Sequence, residues 1–168
     1  KRVRPMCGIA GIFHTDGSPV DRDALDRMNR CLHHRGPDEH GTWTAPGIGL
    51  THRRLSIIDL DAGHQPMGNP EGTTRVCYNG EIYNHRDLRR SLEAKGHAFR
   101  TRCDTEALVH LYDEYGPEML DHLTGMFAFG LYDTRRRRLL LARDRLGQKP
   151  LYYFFSNGTL AFASEMQA

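Results

Sequence analysis

The sequence predicts an α+β domain. Two observations carry that expectation. From Met126 onward the apolar residues recur with a period of two, in the runs Met126–Tyr132, Leu139–Arg143, Leu151–Phe155 and Leu160–Ala163. Between Asp21 and Tyr115 they recur instead at helical spacing, so strand material brackets a helical middle. Asn157-Gly158 separates the last two runs, and that dipeptide between alternating segments signals a tight hairpin. The 168 residues are enough for one domain with its own core.

Taken in order, Ile9–Phe13 reads as an apolar strand softened by glycines. Asp21 suits the N-cap of a helix whose Leu25, Met28 and Leu32 share one face, and Gly36-Pro37 ends it. Ile48–Thr51 and Leu55–Leu60 read as extended. Arg75–Tyr78 reads as a short strand followed by a turn at Asn79-Gly80. Asn84 suits the cap of a second helix carrying Leu88 and Leu92, closed by Gly96 in the left-handed conformation. A third helix starts near Thr105 with Leu108, Leu111 and Tyr115 on one side, and Pro117 opens a shorter one. Arg135–Arg138 lies between two apolar runs and reads as a solvated hairpin tip.

Composition removes several function classes. The net charge is +2, and Lys1, Arg2 and Arg4 supply most of it. Taking those three from the 23 basic residues leaves 20 against 21 acidic ones, so the body lacks a nucleic-acid footprint. No apolar run is long enough to span a bilayer, and the basic N-terminal arm lacks the apolar stretch of a secretory signal. Cys7, Cys31, Cys77 and Cys103 form no Cys-x-x-Cys pair, so no metal is called for. Cys31 and Cys77 read as reduced core residues of a cytoplasmic protein.

Cys7 follows Met6 and opens the run Cys7-Gly8-Ile9. A chain starting at Cys7 would hold a thiol and an α-amine on one residue, a nucleophile and a base that titrate near pH ~8.5 and ~8. With residues 1–6 attached that amine is absent. Those residues are therefore expected to be an N-terminal extension to a domain proper at 7–168: a propeptide that is removed, an upstream misread start or vector-derived sequence, with Met6 directly before Cys7 favouring a start at Met6.

Further motifs are His34-Arg35-Gly36-Pro37-Asp38, Arg53-Arg54-Leu55-Ser56-Ile57-Ile58-Asp59, Tyr78-Asn79-Gly80-Glu81-Ile82-Tyr83-Asn84, Asp104-Thr105-Glu106, Gly125-Met126-Phe127-Ala128-Phe129 and Arg143–Tyr153. With the Cys7 start, these resemble, in order, the glutaminase domain of class II glutamine amidotransferases. They are most similar to its asparagine synthetase (glutamine-hydrolysing) branch. The resemblance implies an N-terminal-nucleophile hydrolase fold, a four-layer αββα sandwich. It also implies hydrolysis of the L-glutamine side-chain amide by Cys7, with Asn79 and Gly80 as oxyanion donors. Arg54 would take the substrate α-carboxylate, and Asp104, with Glu81 nearby, the α-ammonium. Leu55, Ile57 and Ile58 would add backbone contacts. Asp104 also fits a plain helix N-cap, and Asn79-Gly80 a plain turn.

The resemblance implies no cofactor in this domain; ATP and magnesium would serve a synthetase domain that receives the ammonia and has no counterpart here. Whether that acceptor continues the chain or is a separate one stays open, as does a homodimer. Two alternatives stand beside the glutaminase. One is a catalytically silent module of the kind found in β-lactam-forming synthetases; the other is the glutaminase domain of another class II amidotransferase.

Overall fold

The computed structural model describes residues 6–55 and 63–168. Its strands form two antiparallel sheets. The first contains β1 (Gly8–His14), β2 (Glu39–Ala45), β3 (Ile48–Arg54), β8 (Tyr152–Ser156) and β9 (Thr159–Ala163), in the order β2-β3-β1-β9-β8. The second contains β4 (Met67–Gly68), β5 (Thr74–Ile82), β6 (Gly125–Asp133) and β7 (Arg138–Arg143), in that order. Helix α1 (Arg22–Cys31) lies on the outer face of the first sheet, and α2 (His85–Ala94) and α3 (Asp104–Tyr115) on the outer face of the second. The result is the αββα sandwich implied by the resemblance.

Period-two alternation builds all three packing layers. In β1, Ile9 enters the core between the sheets while Ala10 and Ile12 meet Leu25 and Leu32 beneath α1. In β5, Cys77 joins the inter-sheet core, and Val76, Tyr78 and Ile82 meet Leu108 and Leu111 of α3. One residue of slip in either strand would exchange these faces, so burial fixes the register.

Asp21 caps α1 as expected, its carboxylate accepting the Asp23 N–H at 2.9 Å. Gly96 follows α2 at φ 96°, and Asn157-Gly158 closes the β8–β9 hairpin at φ 49° and 74°. Other expectations need correction. Asn84 holds the N-cap position of α2 as expected, but its side chain makes no cap bond and ties instead to Thr124 N–H and the His122 carbonyl. The segment opened by Pro117 is a 3-10 helix, Gly116–His122. Cys31 is exposed, because it ends α1 away from the Leu25–Leu32 face, while Cys77 is buried. Strands β2 and β4 were not foreseen. Most of the expected Leu55–Leu60 extended run lies outside the described residues.

Edge strand β8 exposes Tyr152, Tyr153, Phe154 and Phe155 together. Among the described residues no helix is long and apolar enough to cross a membrane.

Candidate active site

Cys7 stands just ahead of β1, where the pleat that sends Ile9 between the sheets sends residue 7 the same way. Its Sγ accepts the Leu55 N–H at 3.5 Å and lies 4.0 Å from the Leu55 carbonyl. The Cys7 carbonyl accepts Arg35 Nε at 3.1 Å, and Arg35 Nη1 is fixed in turn by Glu165 at 2.9 Å. Ser164 brackets the next turn of chain, its Oγ accepting the Ile9 N–H at 3.0 Å. Burial pushes the Cys7 thiol up from its ordinary value; the Leu55 N–H, the Arg54 charge and the Lys149 charge pull it part of the way back.

Asn79 and Gly80 do not form a turn. They lie inside β5, paired with Ala128 and Phe127 of β6. The apolar positions on either side, Tyr78 and Ile82, both fill the helix-facing core and carry the strand straight through. The dipeptide's local turn preference is overridden by that packing. Gly80 is required by β6 itself, since a Cβ there would come within 2.3 Å of the Met126 carbonyl.

The outer edge of β5 is open at this point because β4 pairs only with Arg75 and Val76. Side chains substitute for the missing strand. Gln65 Oε1 accepts the Tyr78 N–H at 2.6 Å, His52 Nε2 donates to the Tyr78 carbonyl at 3.1 Å, and Asp104 Oδ2 accepts the Ile82 N–H at 2.9 Å. Backbone groups alternate sides along a strand, so the Gly80 N–H, between those of Tyr78 and Ile82, points to the same open edge. Beside it, the Asn79 side chain is 3% exposed, and its Nδ2 has no hydrogen-bond partner. Two amide donors therefore stand next to each other without a protein acceptor for Nδ2.

Arg54 ends β3 and is buried, with Nη1 on Glu39 Oε2 at 3.1 Å; the other Glu39 oxygen meets His64 Nδ1. Gly63 lies between Arg54 and Cys103: a Cβ there would stand 3.4 Å from Arg54 Nη2 and 3.9 Å from Cys103 Cβ. Asp104 is the first residue of α3, but Cys103 is the N-cap and makes no side-chain cap bond. The cap reading of Asp104 is therefore corrected. Its Oδ2 holds Tyr78 O–H at 2.7 Å as well as the Ile82 N–H, joining α3 to the strand that carries Asn79 and Gly80. Glu81 is exposed on β5, and Ile57 and Ile58 lie outside the described residues.

Three neighbours escaped sequence reasoning. They are His52 and Gln65, which hold the Tyr78 carbonyl and N–H, and Lys149, whose Nζ meets Met6 Sδ. The signal for Lys149 is its place in Gly147-Gln148-Lys149-Pro150, directly ahead of β8. Burial drives the His52 imidazole down to about 4, so it is neutral near pH 7, and the Tyr78 carbonyl selects the tautomer that carries its proton on Nε2.

Comparison with known proteins follows the same lines. Residues 6–168 match the family described as glutamine amidotransferase domain. The glutamine-hydrolyzing asparagine synthetase 3 of Bacillus subtilis (strain 168) is 42% identical over 166 residues, 97% of this chain and 27% of that protein. Asparagine synthetase B (glutamine-hydrolyzing) of Escherichia coli (strain K12) is 45% identical over 166 residues, covering 97% and 30%. The chain thus spans less than a third of the length of these curated relatives. Among solved structures, the glutamine phosphoribosylpyrophosphate amidotransferase of B. subtilis, complexed with ADP and GMP, superposes with a TM-score of 0.77 at 23% identity. The match covers 96% of this chain and 42% of that one.

Proposed function

This chain belongs to the glutamine amidotransferase domain family and has the N-terminal-nucleophile hydrolase fold. From that premise we propose that, once residues 1–6 are removed, it hydrolyses L-glutamine to glutamate and ammonia for an asparagine-synthetase-type acceptor. The observation that carries this reading is the pair of adjacent amide donors, Asn79 Nδ2 without a partner and Gly80 N–H on the open edge of β5.

The freed α-amine of Cys7 takes the thiol proton, and the thiolate attacks the side-chain carbonyl carbon. The developing oxyanion takes the two donors, which act on it more strongly than on the ground-state carbonyl. The proton passes to the leaving nitrogen, ammonia departs, and a thioester to Cys7 remains. Water adds to that thioester, and glutamate leaves with the thiol restored. Arg54 offers its planar fork to the substrate α-carboxylate. Asp104, whose Oδ2 is committed to β5, offers Oδ1 to the α-ammonium, with Glu81 at the rim. Backbone groups of Leu55, Ile57 and Ile58 line the approach. These steps use only side chains and backbone of this domain; ATP and magnesium belong to the acceptor.

An acceptor is supported by the relatives, which are more than three times longer than the matched part. It would also cover the aromatic edge of β8. The test is glutamate release by protein beginning at Cys7 against the full 168-residue chain. Activity confined to the shorter form is the expected result. Equal activity of both forms would overturn the α-amine mechanism, and inactivity of both at saturating glutamine would favour the silent module.

A further inference from the structure

Lys149 is a buried lysine, 8% exposed, and its position is fixed from its backbone outward. Its N–H donates to Asp144 Oδ2 at 3.0 Å, and its carbonyl accepts Arg143 Nε at 2.8 Å. Asp144 is itself held by the N–H groups of Phe127 and Gln148 at 3.2 and 2.9 Å, so the loop that presents Lys149 is tied to β6. Among the described residues the ammonium at the other end meets only Met6 Sδ, at 3.2 Å. A thioether is a weak acceptor, and among the described residues no carboxylate lies within 4.0 Å of Nζ. A buried ammonium with so poor a partner is costly to a fold that gains nothing else from it.

Met6 is the residue whose removal frees the amine of Cys7. Once it is gone, the Lys149 ammonium borders the space beside that amine. We infer that Lys149 is a positioning residue for the glutaminase reaction: its positive charge holds the α-amine of Cys7 in the neutral, proton-accepting form and favours the thiolate. The inference rests on the reading of Cys7 as an N-terminal nucleophile.

Two ammonium groups that border the space Met6 occupies cannot both stay charged without penalty, and the Arg35 guanidinium holds the Cys7 carbonyl close by. The groups that face Lys149 are Arg35 after α1, Cys7 at β1, Glu81 on β5 and Asp144 after β7; Arg54 on β3 faces the thiol. Arg35 is paired with Glu165 and Arg54 with Glu39, the carboxylate of Asp144 is occupied by backbone N–H groups, and Glu81 is exposed, so Lys149 is the cation near Cys7 with no carboxylate within 4.0 Å among the described residues. The same field lowers the thiol and the α-amine together. Both shifts move the pH at which Cys7 becomes reactive downward.

The experiment uses protein beginning at Cys7, with Lys149→Met to remove the charge and Lys149→Arg to keep it. Iodoacetamide alkylation of Cys7 is followed against pH without glutamine, and glutamate release is followed against pH beside it. Lys149→Met should move the acidic limb of both profiles up by about one pH unit, a roughly tenfold loss of rate below the limb. Lys149→Arg should leave the limb where it is in the parent. A uniform fall in rate with an unmoved limb in Lys149→Met would assign the lysine to packing and overturn the inference. Should Lys149→Met fail to fold, a displaced limb in Lys149→Arg would overturn it equally. A parent that alkylates at Cys7 yet releases no glutamate would sink the glutaminase reading, while the alkylation limb still decides the role of Lys149.

Discussion

Replacing Asn79 with alanine should separate activity from stability, and the structure gives both magnitudes. The Asn79 Nδ2 is buried without an acceptor. Such an orphaned donor carries a penalty of about 1–3 kcal/mol in the folded state, which the truncation relieves. Against that stands the hole left by the carboxamide, about 40 Å³, which costs about 1 kcal/mol at ~24 cal/mol per Å³. The two nearly cancel, so Asn79→Ala should keep its melting temperature within about 4 °C of the parent. Its kcat should fall by about 10²–10³, the usual loss for one oxyanion donor, with little change in KM. The assay is glutamate release by protein beginning at Cys7, paired with a thermal melt. A melting temperature lower by about 6 °C or more with kcat retained would refute the reasoning, because Nδ2 would then be a structural donor and not a reserved one.

Gly80→Ala should behave in the opposite way, losing about 1–3 kcal/mol along with activity, because its Cβ would press on β6 backbone at Met126 and Phe127; an unchanged melt would contradict that packing. Asp104→Asn should lower the urea midpoint by the equivalent of about 1–3 kcal/mol, since the charged acceptor of Tyr78 O–H and Ile82 N–H is lost. Glu81→Gln, on the exposed rim, is the control that should leave that midpoint alone. His52 gives a pH dependence with a definite sign. Its folded value is about 4 against 6.5 when free, so the unfolded chain takes up the proton first, and stability falls as pH drops through that window. The full loss is roughly 3 kcal/mol. Urea titrations at pH 7 and pH 5 should show a shallower fall for His52→Gln, and an identical fall would rule His52 out as the source.

The runs that became β6, β7 and β9 were legible because each keeps an apolar face against a core, and β8 because Asn157-Gly158 joins it to β9 as a hairpin, although its aromatic residues are exposed. Strand β2 was not, because Glu39–Ala45 is only half-buried and carries no alternation for a reader to find. Asn79-Gly80 misled for a related reason: local propensity speaks for a turn, and only the helix behind Tyr78 and Ile82 decides for a strand. Within the candidate site, Cys7, Arg54 and Asn79 could be read from motifs. The second occupation of Asp104, on β5, could not, because it depends on two segments more than twenty residues apart meeting in space. The Arg143–Tyr153 motif marks the neighbourhood of Lys149 but not its burial, because a lysine in a loop is ordinarily solvated.

The brevity of β4 has a consequence for what this scaffold can tolerate. A sheet edge with free amides invites another strand to zip onto it, and proteins usually blunt such edges with charge or proline. Here the edge beyond Val76 is kept from pairing by Gln65, His52 and Asp104, which hold the neighbouring backbone groups and leave one slot between them. The site is in that sense a gap in a ladder, sized for a single small guest. In the register of Met67 opposite Val76, extending β4 back by four residues to Gly63 would set a partner opposite Gly80, complete the ladder, raise stability by ordinary strand pairing, and close the gap for good.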